Sequence, residues 1–206
     1  MNSDARRRGI LFIISGPSGA GKTTLFRRLL EVADRLEPSV SLTTRALRPG
    51  EIDGRDYHFL DAQEFARRRE AGDLLEWVRV DGVFYGTTRA PLDEAVGAGR
   101  DLLLNVDIHG ARKLRDAFGS AVVSVFVIAP NKAELEKRLR QRATESEERI
   151  RRRLARGNEE ITAWREYDYL VVNADVGRAV ADLQAVVRAE RMRASRFGAR
   201  TVPWEG

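Results

Sequence analysis

The sequence predicts an α/β protein in which a parallel sheet carries a phosphate-binding loop and a smaller module is inserted between strands. Three observations lead there. A short apolar run, Ile10-Leu11-Phe12-Ile13-Ile14, feeds Gly16-Pro17-Ser18-Gly19-Ala20-Gly21-Lys22-Thr23, with Thr24 following. Apolar runs then alternate with helical patterns, the order a parallel sheet covered on both faces requires. Between Arg45 and Arg89 that alternation gives way to turns, short strands and a hairpin signal.

Taken in order, residues 1–9 read as a polar arm whose arginines, Arg6-Arg7-Arg8, are solvated. The first strand and its loop open a helix with Leu25, Phe26, Leu29 and Leu30 on one face. Leu36-Glu37-Pro38 reads as a connector, and Ser39 to Thr44 as a second, β-branched strand. In the insert, Arg48-Pro49-Gly50-Glu51 and Asp53-Gly54-Arg55 are turn-rich, and Tyr57 to Leu60 is a short strand. Asp61 with Glu64 caps a helix ending near Gly72. Leu74–Val80 and Val83–Gly86 pair as a hairpin across Asp81-Gly82. The core resumes with a helix over 90–97, then a buried strand, Leu102 to Val106, that ends in Asp107. Further strands follow at Ala121–Ile128 and Tyr169–Val172, and a closing helix runs from Val176 to about Arg193. The tail from Ser195 reads as loosely attached.

The glycines of the 16–23 loop let successive backbone N–H groups converge on one anion, and the helix start adds its positive end. Lys22 then reaches the β- and γ-phosphates of a nucleoside triphosphate, and the Thr23 hydroxyl is a Mg²⁺ ligand. Asp107 is the acid expected to organise that metal, directly or through water. In the insert, Ser41, Arg45, Arg48 and Tyr57 suit a phosphomonoester dianion. Glu76, an acid in an apolar strand, needs a donor-bearing partner. The guanine edge, with its N1–H and 2-amino group, is one, and Thr87 and Thr88 stand near in sequence. Eight arginines fall between Arg138 and Arg156, with Thr144 and Glu147 in a capping-box pattern. There a mobile lid that closes Arg138, Arg142 and Arg153 over a transferred phosphoryl group competes with a plain solvated helix, the reading given to Arg140 and Arg151. His58 and His109 are too isolated for a metal site or a nucleophile–base pair.

The chain carries 36 basic and 31 acidic residues, nearly all the basic ones arginine, which suits bidentate phosphate recognition. It has no cysteine, which removes disulfide frameworks and thiolate metal sites. No apolar run approaches a membrane span and nothing resembles a signal peptide, so a cytoplasmic protein without membrane partners is expected. The arginines cluster at two phosphate-sized places rather than along an aromatic-laced stripe, so nucleic acid is not the expected partner. Monomer and homo-oligomer stay open.

With those residues in place, the chain resembles the guanylate kinase family over about Gly9 to Glu190. The likeness rests on the phosphate loop, Ser41-Leu42-Thr43-Thr44-Arg45 with Arg48, Gly50-Glu51, Gly54 and Asp56-Tyr57, Glu76-Trp77, Tyr85-Gly86-Thr87 and Val106-Asp107. Phe126 to Pro130, Arg138-Leu139 with Arg142, Arg153-Leu154 and Val171-Val172-Asn173 complete it. The resemblance implies a phosphate-loop nucleoside monophosphate kinase fold in one domain: a core at 10–40, 90–137 and 165–194, a GMP-binding module at 41–89, a helical lid at 138–164 and a tail at 195–206. It implies transfer of the γ-phosphoryl group of Mg²⁺-ATP to GMP. Gly16 to Thr24 and Asn173 would bind ATP, with Asn173 beside adenine. Arg45, Arg48 and Tyr57 would hold the GMP phosphate, with Ser41 nearby; Glu76 and Thr87 would read guanine, with Asp107 near the base and metal, and Tyr85 would also contact GMP. Lys22, Arg138, Arg142 and Arg153 would be catalytic. Asn105, His109 and Ala143 depart from the family pattern. A kinase for a phosphorylated ribose, or a binding domain without catalysis, would be the competing readings. The retained Glu76 and Thr87 weigh against the first, and Lys22 with the arginines against the second.

Overall fold

A computed structural model of the chain describes residues 7–80, 82–140, 147, 151, 154–155, 157 and 160–197. Its core is a five-stranded sheet of β1 (Leu11–Ser15), β2 (Leu36–Pro38), β7 (Asp101–Asn105), β8 (Val122–Ile128) and β9 (Tyr169–Val172). The strand order is β2-β7-β1-β8-β9 and every pairing is parallel. A second, mixed sheet, ordered β4-β3-β6-β5, holds β3 (Leu42–Thr43), β4 (His58–Phe59), β5 (Leu74–Val80) and β6 (Val83–Thr88). This is the α/β P-loop kinase fold.

The central strand shows why the first apolar run is continuous. Side chains alternate across a strand, so Ile10, Phe12 and Ile14 face one layer while Leu11 and Ile13 face the other. The first layer is α1 (Lys22–Val32) with a C-terminal helix, Val176–Arg191, through Leu25, Leu29, Val180, Leu183 and Val187. The second comprises α3 (Ala90–Gly97) and α4 (Ile108–Phe118), through Leu92, Val96, Ala111 and Leu114. Each fully buried leucine or isoleucine contributes about 1.5–3 kcal/mol. With both faces covered, polar chemistry is left to the strand ends. Two further helices are α2 (Ala62–Glu70), on the second sheet's side of the chain, and α5 (Lys132–Arg140), after β8; the closing helix is α6. Asp61, Asp107 and Asp175 cap α2, α4 and α6 by accepting backbone N–H bonds of 2.7–2.8 Å from Glu64, Gly110 and Arg178.

Three sequence expectations change. Leu36-Glu37-Pro38 is not a connector but the edge strand β2, in register with Asp101, Leu102 and Leu103. A proline is tolerated there because an edge strand leaves donors unused. The run from Ser39 to Thr44 is correspondingly not a core strand: only Leu42–Thr43 is extended in a ladder, and it belongs to the second sheet. Arg7 in the arm and Arg196-Phe197 in the tail are also more firmly held than their polarity suggests. Arg7 makes a bidentate pair with Asp101 at 2.7 and 2.8 Å, and Asp101, 2 % exposed, also accepts from Arg191 and from the Ile10 N–H. Arg196 binds Glu190 and the Ser120 carbonyl, and Phe197 bridges to Arg7.

Candidate active site

The loop after β1 sits at the carboxyl end of the central strand, where neighbours diverge to β7 on one side and β8 on the other. Such a switch point opens a crevice in a parallel sheet. Gly16, Gly19 and Gly21 all take positive φ, at 139°, 90° and 91°. At Gly16 a Cβ would collide with the Val127 carbonyl, and at Gly21 with the Asn173 amide, so backbone and neighbours both demand glycine. Lys22 Nζ donates to the Gly16 and Pro17 carbonyls at 2.6 and 2.9 Å, which parks the ammonium on the loop itself. Asn173, 2 % exposed, lies directly behind: its amide donates to the Ala20 carbonyl at 2.8 Å, and its own carbonyl accepts from Arg138 at 3.1 Å. Arg138 thus reaches the back of the loop from α5, steadied by Glu134 one turn earlier at 2.9 Å.

Across from the loop, the second sheet presents a cluster held by side chains rather than backbone. Arg45 forks onto Glu51 with bonds of 2.9 and 2.8 Å and donates to the Ala46 carbonyl at 2.7 Å. Those bonds leave two of its five donors. The guanidinium also lies 5.5 Å from the ring centres of Tyr57 and Phe59, a cation–π arrangement. Glu51 accepts the Arg48 N–H as well, at 2.9 Å. The Arg45 bond holds the Glu51 carboxyl below the usual range, and burial pushes the Tyr57 phenol up. Tyr57 and Tyr85 meet edge to face at 6.0 Å.

Farther along the hairpin, Glu76 is 6 % exposed and Thr87 1 %. The Thr87 hydroxyl donates to Glu76 Oε1 at 2.5 Å. Burial pushes the Glu76 carboxyl up, opposed by the Thr87 bond; nearby Asp107 adds to the rise and Lys113 offsets it. Asp107 caps α4 through Gly110 and stands by Glu76.

One cleft of about 560 Å³ joins the two halves: Thr23 borders it from the loop, and Ser41, Arg45, Arg48, Tyr57 and Tyr85 from the module. Asn105 also lines it, at the end of β7. Of the predicted positions, 16–24, 41, 45, 48, 57, 76, 85, 87, 107, 138 and 173 are in the described structure; Arg142 and Arg153 lie outside it, as do Thr144 and Ala143. His58 and His109 are exposed. Thr23 and Asn105 offer oxygen donors of the kind Mg²⁺ prefers, and no group of three His, Cys, Asp or Glu suited to a metal occurs among the described residues. Sequence reasoning used Glu51 only as part of a motif and did not single out its grip on Arg45. The signal is an acid six residues after an arginine across a turn, which many loops share.

A phosphate loop on the central parallel strand, facing a separate arginine- and tyrosine-lined module across one cleft, defines a P-loop kinase. The comparisons narrow this. The sequence profile of the guanylate kinase family matches residues 8–190. A guanylate kinase from Nitrobacter winogradskyi is 50 % identical over 190 residues, 92 % of this chain and 87 % of its own, and one from Rhizobium meliloti is likewise 50 % identical over 92 % and 87 %. The crystal structure of guanylate kinase from Anaplasma phagocytophilum superposes with a TM-score of 0.78 at 34 % identity, covering 95 % of this chain and 93 % of that one. The chain belongs to the guanylate kinase family.

Proposed function

We propose that the chain transfers the γ-phosphoryl group of Mg²⁺-ATP to GMP, giving ADP and GDP, with the donor on the 16–24 loop and the acceptor in the 41–89 module. The observation that carries this reading is the buried Glu76–Thr87 pair, on the hairpin that also brings Tyr85 to the cleft. A carboxylate with one oxygen already bonded by a hydroxyl is an acceptor seeking N–H groups, and guanine supplies two on one edge. Asp107 would stand beside that pair.

Arg45, Arg48, Tyr57 and Tyr85, with Ser41, would hold the acceptor phosphate. A phosphomonoester is largely dianionic at neutral pH, its second pKa being near 6. Its oxygen therefore attacks the γ-phosphorus in line without a general base, and ADP departs from the opposite side. The exposure of both histidines agrees with that economy. What remains for the protein is positioning and charge neutralisation. Lys22 would leave the loop carbonyls for the β- and γ-phosphates, while Arg138, with Arg142 and Arg153 of a 138–164 lid, would meet the charge that spreads over the transferred group. Thr23 would hold Mg²⁺, with Asn105 in the same cleft and Asp107 acting through water. When bound, the ion neutralises phosphate charge. Among the described residues no helix is long and apolar enough to cross a membrane, which fits work on diffusible nucleotides.

A coupled ADP-release assay with GMP, AMP, CMP and UMP as acceptors tests the reading. Turnover confined to GMP is the expected result. Equal turnover with AMP, or ATP hydrolysis that ignores the acceptor, would overturn it.

A further inference from the structure

Gly110 stands in the first turn of α4, a place where alanine is the better helix former. Its backbone does not require glycine, because it is absent from the positive-φ positions. The space around it does. A Cβ there would lie 3.1 Å from both Cδ and Oε2 of Glu76 and 3.2 Å from the Cβ of Val106, closer than side-chain carbons ordinarily approach. Glu76 has little freedom to swing aside, since Oε1 is bonded to Thr87 at 2.5 Å and the residue is buried. The Gly110 N–H meanwhile donates to Asp107 Oδ1 at 2.8 Å. One residue therefore sets two neighbouring carboxylates, Asp107 through its amide and Glu76 through its missing side chain.

We propose that Gly110 is a positioning residue for base selection: its bare face sets how far the Glu76 carboxylate stands off α4, and so which purine edge it can meet. The ligand class is a 6-oxopurine nucleotide bearing a 2-amino group, favoured over one lacking it. This rests on the guanine-reading role of Glu76 proposed above. Thr87, Asp107 and Lys113 are the polar and charged neighbours that share the setting.

The test is a double-mutant cycle read as steady-state kinetics with GMP and with inosine monophosphate. Gly110→Ala should raise KM for GMP about tenfold, the scale of one displaced charge-assisted hydrogen bond. Its kcat and its KM for ATP should stay within about twofold of the parent, as no phosphate ligand moves. The preference for GMP over inosine monophosphate should fall with the rise in KM. In a Glu76→Asp background the shorter side chain leaves room for the added methyl, so the same substitution should cost less than about twofold. An unchanged KM and preference in Gly110→Ala would overturn the inference. So would an equal loss, or a loss of folding by circular dichroism, in both backgrounds, because crowding would then come from Val106. Glu76→Gln separates the two layers. An unaltered purine preference there would bring down the guanine reading itself, whereas a changed preference there with none in Gly110→Ala would bring down only the role of Gly110.

Discussion

On the reading proposed above, the donor loop and the acceptor module solve the same problem, holding phosphate, by different means. At the loop the anion site is backbone: three glycines with positive φ, a helix start and one lysine, all within nine consecutive residues. At the module it is side chain held by side chain. Arg45 is fixed by Glu51, Glu51 also takes the Arg48 N–H, and Tyr57 and Phe59 flank the guanidinium. The loop derives rigidity from the fully buried β1, whereas the module rests on a small sheet and must splint its own charges. Backbone sites are therefore insensitive to most substitutions except at glycine and lysine, while a splinted site fails by degrees when any one member changes.

The largest effect that this contrast predicts is at Lys22. Its ammonium is the loop's one long-reach charge, and transition-state electrostatics lost from such a position cost about 10³-fold or more in kcat. Lys22→Ala should show that loss in the coupled assay, with a thermal midpoint lowered by only about a few degrees for two loop hydrogen bonds. Turnover within tenfold of the parent would mean that the backbone alone carries donor binding.

A smaller and more selective effect is expected at the splint. Glu51→Gln keeps the shape but removes the charge that orients Arg45, and should raise KM for GMP roughly 10- to 100-fold. The KM for ATP should not move, because the bonds Glu51 makes are to Arg45 and the Arg48 N–H, within the module. A lowered KM for GMP would reverse the argument, making Glu51 a competitor for Arg45 that the substrate has to displace.

The same contrast explains what could be read from the chain. The phosphate loop is legible because its residues are adjacent, and the strand, loop and helix around it agree at every level. The Asp61 cap and the 74–88 hairpin were legible for the same local reason. Strand β2 was hidden by its proline and its length of three residues. Asp101 draws together residues 7, 10 and 191, and no local pattern announces a carboxylate shared across such separations. Glu51 and Gly110 escape a sequence reading because their meaning lies in what they touch. A glycine in a helix and an acid in a turn carry no signal until the fold brings Glu76 and Arg45 beside them.

The gentlest probe of the module is pH. Burial raises the Glu76 carboxyl above its ordinary 4.5, with Asp107 adding to the shift and Thr87 and Lys113 opposing it. As pH falls through that raised value, the group gains a proton and one oxygen turns from acceptor to donor, so it meets guanine less well. The acceptor phosphate also protonates, near pH 6, and wild-type KM alone would mix the two events. Glu76→Gln retains the phosphate event and lacks the carboxyl one. The ratio of KM values for GMP, variant over wild type, should therefore be largest near neutrality and fall toward one on acidification, while KM for ATP shows no such ratio. A ratio that stays flat across that range would mean the carboxyl keeps its charge in the free enzyme, and that its neighbours outweigh its burial.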